Sequence, residues 1–329
     1  MLLESPNRKM RKVFINDSGR LRSGWRALIF ACAFLAALLL ILTVLQVFYF
    51  AFVAFAPQLP RSRFIPDLIY RISLLSAGLG AGYLCARWLE GLNWRSLGVT
   101  LHQGWVRDLV IGYVAGFASL ALAVGIAAAG NGFEFSISAG STSQLGKAML
   151  GSAIYLCVAA LAEEAIFRGY PLQTFLRPKL VALGIAVTSV GFGLVHLQNP
   201  NVTVTIPFFN TILAGVWFAV AYLRTRSLWL PLGLHWSWNW ALAWFFGIPV
   251  SGARLVPHSL FEATDLGPAW LTGGNYGIEG GIAGTVALLV STIFFWRAPW
   301  LRATPELKKL TSEENPAMPE PVVSIRSVD

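Results

Sequence analysis

The chain has 329 residues, of which 56% are hydrophobic and only 12% are charged, and its formal net charge is +9. Ordinary soluble proteins carry roughly 25% charged residues, so this composition excludes a soluble globular domain and indicates an integral membrane protein. We expect the positive charge to reflect membrane topology and contact with anionic lipid headgroups, and therefore no nucleic-acid partner.

Eight segments are apolar enough to be membrane spans, each of which needs about 20 residues. They are Ala27–Phe55, Ile72–Trp88, Leu109–Ala129, Ala148–Phe167, Leu180–Leu197, Pro207–Leu223, Leu228–Phe246 and Gly280–Trp296. The sequence therefore predicts an all-α integral membrane protein, a bundle of about eight transmembrane helices. The polar residues described below predict that the bundle encloses an intramembrane active-site cavity.

The N-terminal part consists of a basic tail and the first three spans. Residues 1–24 form the tail, which is expected to be cytoplasmic and to be disordered up to about Gly19. Residues 25–130 hold transmembrane helices 1–3. The first apolar run is too long for the hydrophobic region of a signal peptide, so we expect it to remain as a span.

Positive charge tests the span count, because Lys and Arg collect in cytoplasmic loops. With the N-terminus in the cytoplasm, eight spans place 20 of the 25 basic residues on the cytoplasmic side. The five others are Arg61, Arg63, Arg71, Lys147 and Arg254. An odd number of spans would break this alternation. We therefore predict a multi-pass protein of the cell membrane with both termini in the cytoplasm.

An acidic pair interrupts the fourth predicted span in the stretch LAEEAIFRGY. The preceding residues, Ala148–Leu161, carry no charge, and a charge at mid-membrane costs about 2.5–3.5 kcal/mol. Glu164 and Arg168 are four apart with the acid first, the favourable order for an ion pair on one helical face. Glu163 has no local partner. The alternative is that all three side chains lie at headgroup level and reach the interface.

Polar residues that spans normally avoid recur in two later stretches. In SVGFGLVHLQN, Phe192 and His196 are four apart. In LGLHWSWNWA, His235 and Asn239 are four apart and so project from one helical face. One such histidine is usually explained by core packing, but two of them with an asparagine and a glutamate pair favour a functional site.

These patterns resemble those of the CAAX prenyl-protease and bacteriocin-processing family of intramembrane proteases, also called the Abi family. Its members carry Glu-Glu-x-x-x-Arg, then Phe-x-x-x-His, then His-x-x-x-Asn or Asp, on three transmembrane helices. Here these residues are Glu163, Glu164 and Arg168; Phe192 and His196; and His235 and Asn239. The resemblance covers about Lys147–Phe246 without a departure at any motif position. It implies an intramembrane endopeptidase with a catalytic core at 147–247, containing transmembrane helices 4–7.

The roles that the resemblance implies agree with the chemistry of these side chains. Peptide hydrolysis needs a base for water and donors for the oxyanion. A carboxylate in a poorly solvated cavity is a stronger base, so Glu163 with His196 would activate the water. His235 and Asn239 would stabilise the tetrahedral oxyanion.

Three further motif residues are expected to support the site. Glu164 and Arg168 would orient Glu163 from behind. Phe192 would shape the pocket wall.

A zinc site is the rival chemistry. Glu163, His196 and His235 form the His₂Glu set of catalytic zinc enzymes, with a fourth position open for water. Against zinc, the sequence has no HExxH motif, and the prenyl proteases of this family are taken to use a glutamate without metal. We therefore expect no cofactor, with zinc at these three residues as the alternative.

The predicted depths of the three residues do not match. Glu163 lies roughly 6 Å from the cytoplasmic end of its span and His235 about 10 Å, whereas His196 lies about 24 Å along its helix. They can meet only if the helices begin at different depths. We expect the Glu163 helix to lie deeper and to continue past Arg168 toward Arg177, because FRGYPLQTFLR remains amphipathic.

The C-terminal part is predicted to contain an extracytoplasmic loop at 248–279, transmembrane helix 8 at 280–297 and a disordered cytoplasmic tail at 303–329. Basic residues surround the end of the glutamate helix on the cytoplasmic side. We therefore expect the cavity to open toward the cytoplasm, with Gly247–Glu279 closing the opposite face.

Two functions outside catalysis stay open. A membrane scaffold or bacteriocin-immunity protein would use the same fold without turnover, although the intact motifs argue against it. A transporter would also carry polar groups near the midplane, usually with internal repeats, and no repeated half is found. The partners expected of a protease are the lipid bilayer and a protein or peptide substrate, with or without a lipid modification.

Overall fold

The computed structural model describes residues 12–16, 19–55 and 64–311. The helices of this part are α1 (Ser23–Phe55), α2 (Phe64–Glu90), α3 (Trp105–Ala129), α4 (Thr142–Glu164), α5 (Tyr170–Leu176), α6 (Val181–Val195), α7 (Ile206–Thr225), α8 (Trp229–Trp240), α9 (Ala269–Thr272), α10 (Ile282–Arg297) and α11 (Pro305–Thr311). Two strands, β1 (Phe133–Ile137) and β2 (Phe261–Asp265), accompany them. All eight predicted spans are helical, so the all-α bundle is confirmed.

Six helical stretches of the described part are long and apolar enough to cross a membrane: α1, α2, α3, α4 continued through α5, α6 with its final turn, and α7. The other two predicted spans are helical but differ from these. Helix α10 has 16 residues. Helix α8 has 12, is mostly buried, and is followed by a π-helical turn at Ala241–Phe246.

Helix α2 begins at Phe64, about two turns before the predicted Ile72. The charges of Asp67 and Arg71 lower the local hydropathy without interrupting the helix. Arg71 is therefore a residue of a membrane-spanning helix.

The helix that carries Glu163 continues as we expected. Helix α4 passes through a π-helical turn at Ala165–Gly169 into α5, giving one apolar stretch of 35 residues. Glu163 thus lies roughly 20 Å from Leu176, and His196 lies roughly 22 Å from the start of α6 at Val181. The two residues reach the same depth because the Glu163 helix ends, and α6 begins, at the same end of the bundle.

His235 reaches this depth in a different way. The turn between α7 and α8 is itself buried, with Thr225, Ser227 and Leu228 at most 1% exposed. The Leu228 amide donates to the Gly98 carbonyl at 2.9 Å, so the segment before α3 covers this turn. Helix α8 consequently begins well inside the bundle.

Helix α8 packs against α3 with the two backbones in contact. A Cβ at Gly112 would lie 2.2 Å from the Leu230 carbonyl oxygen, and one at Gly233 would lie 2.2 Å from the Leu109 carbonyl oxygen. Only glycine fits at such approaches, which are common between membrane helices. This contact fixes the face of α8 that carries His235.

The connections at one end of the bundle, here called the loop end, are residues 130–141, 199–205 and 247–281. Strands β1 and β2 pair there in antiparallel register, with Phe133 opposite Asp265. This small sheet was not predicted, because each strand is short and its partner lies far along the sequence.

The opposite end, here called the basic end, contains residues 91–104, 177–180, 226–228 and 298–304. Glu90 is buried there between Arg26 and Arg177 and accepts a hydrogen bond from Thr174 at 3.1 Å. These contacts join α1, α2 and α5.

The expected disorder of the two tails is wrong for the parts that the structure describes. Residues 305–311 form α11, because Leu307 is buried and Glu306 pairs with Arg95 at 2.5 Å. Near the N-terminus, the Arg22 amide donates to the Phe14 carbonyl at 2.8 Å. Residues 1–11, 17–18 and 312–329 of the tails lie outside the described residues.

Candidate active site

Three motif residues from three helices meet at one point. Oε2 of Glu163 lies 3.8 Å from Nε2 of His196 and 3.6 Å from Nε2 of His235. Glu163 is at the end of α4, His196 directly follows α6 and His235 is in the middle of α8. The predicted candidates are thus brought together although they are up to 72 residues apart in the sequence.

The orientation of both imidazoles is fixed through Nδ1. His196 Nδ1 lies 2.7 Å from the Phe192 carbonyl oxygen, and His235 Nδ1 lies 2.9 Å from Glu164 Oε1. Both partners are acceptors, so Nδ1 is the protonated nitrogen in each case. When neutral, the two rings direct Nε2 lone pairs toward the Glu163 carboxylate. Three acceptors facing one another require a donor between them, such as a water molecule, a shared proton or a cation.

Aromatic rings hold the imidazoles from the side. The Phe192 ring centroid lies 4.4 Å from that of His196. The Phe218 ring stacks on His235 at 4.5 Å with an interplanar angle of 17°. Phe192 also lines the cavity beside Glu163, as the sequence predicts.

Glu164 and Arg168 form the expected ion pair, with Arg168 Nη1 3.3 Å from Glu164 Oε1 and both side chains fully buried. Arg168 also donates to the Gly215 carbonyl at 2.9 Å. The same Glu164 oxygen accepts from His235, so the pair holds His235 rather than Glu163. The expected orientation of Glu163 by these two residues is therefore replaced by an orientation of His235.

Arg71 is a site residue that our sequence analysis missed. Its Nη1 lies 3.6 Å from Oε1 of Glu163, and its Nε donates to the Tyr155 hydroxyl at 3.1 Å. The guanidinium also lies 5.5 Å from the centre of the Tyr155 ring. The sequence could have indicated Arg71 as a site residue, because it is an arginine directly beside an apolar segment. We assigned this arginine to a loop because the predicted span began one residue later.

A cavity of about 250 Å³ adjoins these residues. Its wall includes Asn239, one helical turn beyond His235 on α8, and its far side is formed by Pro200, Ser251 and Glu279 of the loop end. The structure gives no support to the expected opening toward the basic end. That side of Glu163 is filled by fully buried Glu164 and Arg168, whose charges are paired with protein groups instead of lining water.

Fold and site together are those of a multi-pass membrane protein in which a glutamate and two histidines from separate helices converge beside a cavity. Residues 145–241 match a family described as "Rce1-like: Type II CAAX prenyl endopeptidase Rce1-like". This match confirms the family assignment for the segment that carries all three motifs. A search of curated proteins gave no match.

Proposed function

We propose that this protein is an intramembrane endopeptidase that hydrolyses a peptide bond of a membrane-associated protein or peptide. Glu163, with His196, activates the attacking water. The observation that carries this proposal is the convergence of the Glu163 carboxylate and two imidazole Nε2 atoms at 3.6–3.8 Å on the wall of a cavity. A water there has acceptors for its protons and faces the space where a peptide would lie.

The reaction follows from these positions. Glu163 takes a proton from the water while the water oxygen attacks the scissile carbonyl carbon. The carbonyl oxygen becomes an oxyanion, which Asn239 and a protonated His235 stabilise as donors. The proton held by Glu163 and His196 then passes to the amine leaving group as the carbon–nitrogen bond breaks.

Glu164 supports this role of His235. A carboxylate on Nδ1 fixes the ring and stabilises the imidazolium that donates from Nε2. Arg168 balances the charge of Glu164, and its guanidinium lies 4.7 Å from the Phe192 ring centre and 5.1 Å from that of Phe218. The pair is thereby held in an apolar setting.

We propose a mechanism without metal. The guanidinium of Arg71 already lies 3.6 Å from Glu163 and supplies positive charge that would oppose a dication at the same carboxylate. Metal analysis of the purified protein with a chelator assay tests this. Stoichiometric zinc, with reversible loss of activity on chelation, would favour zinc on Glu163, His196 and His235.

We propose that the basic end faces the cytoplasm of the cell membrane and that substrates reach the cavity from the opposite side. In a cysteine-free background, Leu255→Cys is exposed beside the cavity and Arg95→Cys is exposed at the basic end. A membrane-impermeant maleimide should label Leu255→Cys only from outside and Arg95→Cys only from the cytoplasm. The reverse pattern would invert the orientation.

The proposed activity is tested in cells. Membrane proteomes of cells that carry the wild type and the Glu163→Gln variant are compared for new protein fragments. Glu262→Gln is the matched control, because Glu262 is an exposed residue of β2 outside the cavity. Fragments present with the wild type and the control but absent with Glu163→Gln support a protease. Identical fragments in all three strains would support a scaffold or immunity role.

A further inference from the structure

A second carboxylate lies in the cavity, at the loop end. Glu279 Oε2 accepts hydrogen bonds from the Ser251 amide at 2.6 Å and the Ser251 hydroxyl at 2.9 Å. Its Oε1 accepts from Trp238 Nε1 at 2.9 Å. The Asn210 side chain donates to the Glu279 carbonyl at 2.8 Å, so the backbone of this residue is also held.

The charge of Glu279 is not compensated. The three groups that donate to its carboxylate are neutral, and among the described residues no lysine, arginine or histidine lies within ion-pair distance of it. The side chain nevertheless contributes to the cavity wall. A carboxylate that is fixed in position, partly buried and without a cation attracts a positively charged ligand.

Helix α8 relates Glu279 to the reacting atoms. Trp238, whose Nε1 donates to Glu279, is three residues beyond His235, a rise of roughly 4.5 Å along the helix. The length of the Trp238 indole adds to this separation, and an extended peptide advances about 3.3 Å per residue. A peptide whose scissile carbonyl lies between Glu163 and His235 would therefore place a group near Glu279 within a few residues.

We propose that Glu279 forms a subsite for a positively charged group of the substrate, within a few residues of the scissile bond. The group is a lysine or arginine side chain or a free α-amine. This inference rests on the proposed peptidase function. Arg71 favours binding of the substrate cation at Glu279 over binding at Glu163. Its guanidinium is exposed to the cavity beside Glu163 and repels a second cation at that carboxylate.

Binding is measured in the Glu163→Gln background, which needs no turnover. The probes are fluorescent octapeptides of Leu and Ala, acetylated and amidated, in which one Lys or one Gln is placed at each position in turn. A third set carries Gln and a free α-amine. We expect the best Lys or free-amine peptide to bind about tenfold more tightly than its Gln counterpart. The preferred set identifies the source of the cation.

Adding Glu279→Gln should reduce this preference to less than about twofold. Glu262→Gln is the charge-matched control on the same end of the molecule and should leave the preference unchanged. Ser251→Ala removes one donor to Glu279 but keeps its charge, so the preference should persist. If Ser251→Ala abolishes the preference for cationic peptides as fully as Glu279→Gln does, the preference depends on loop geometry and not on the charge of Glu279, and the proposal is overturned.

Equal affinity for all three peptide sets in the Glu163→Gln background, including no binding of any, also overturns the subsite. A cation preference that survives Glu279→Gln overturns the subsite as well.

Cleavage of the same peptides by the wild type separates the two proposals. Cleavage without a cation preference leaves the peptidase and removes the subsite, whereas a preference without cleavage leaves a cation-binding site and removes the peptidase.

Discussion

Glu90 at the basic end and Glu163 beside the cavity are both glutamates of membrane-spanning helices, but their surroundings differ. Glu90 is 1% exposed and bonded to Arg26, Arg177 and Thr174. Glu163 is 20% exposed, faces two imidazole acceptors and has one arginine at a longer distance of 3.6 Å. A fully paired carboxylate stabilises a fold, whereas one with unfilled acceptor positions can take a proton from a substrate or water.

The Glu163–Glu164 pair repeats this difference within two adjacent residues. Glu164 is enclosed by Arg168 and His235, and Glu163 points to the cavity. The rotation of about 100° between neighbouring helical residues is what separates them. In the proposed mechanism, one helix thus supplies both a supporting carboxylate and a reactive one.

Substitution of Glu90 is expected to have the largest effect on stability. Glu90→Gln leaves Arg26 and Arg177 buried with weaker partners, and breaking a buried pair in this way costs about 3–5 kcal/mol. We expect a clear fall in the melting temperature of the purified protein, with normal activity in the fraction that stays folded. Glu306→Gln, which breaks the exposed pair with Arg95, is the control and should cost at most about 1 kcal/mol. Equal effects would contradict the assignment of Glu90 to the fold.

The second effect is on catalysis through His235. Glu164→Gln weakens the contact that fixes Nδ1 of His235, so kcat should fall about 10–100-fold, with KM little changed. Rates are normalised to the folded fraction, because Arg168 also loses its charged partner. A change in KM alone would place Glu164 in substrate binding and contradict its role behind His235.

The smallest effect is expected at Arg71. Arg71→Gln removes the positive charge beside Glu163 and should lower kcat about tenfold, because a smaller fraction of Glu163 is then ionised and able to accept a proton from water. Arg71→Lys keeps the charge and should retain most of the activity. An equal loss in both variants would mean that the contact with Tyr155 matters more than the charge.

The core of the site could be predicted from sequence because each motif lies within one helix or the helical turn that continues it. The spacing of Phe192 and His196, or of His235 and Asn239, fixes a shared helical face wherever that helix packs. The continuation of the Glu163 helix was also predictable, since the amphipathic pattern does not stop at Arg168.

The direction of the cavity and two of its charged residues could not be predicted. Arg71 and Glu279 belong to segments that carry no motif, and only helix packing brings them to Glu163 and Trp238. Arg168 and Arg177 were counted as groups at a water-exposed end, but both are buried in ion pairs. A count of basic residues indicates the side of the membrane and contains no information on which charges are enclosed by protein.

The central claim is that the incompletely paired carboxylate of Glu163 is the base, and it is tested most directly by the hydrolysis rate of purified Glu163→Gln. The substrate is a membrane peptide that the wild type cleaves, with melting temperature measured in parallel. We predict a loss of about 10²–10⁴-fold in rate at an unchanged melting temperature, as for removal of a general base. A rate within about threefold of the wild type would contradict the mechanism.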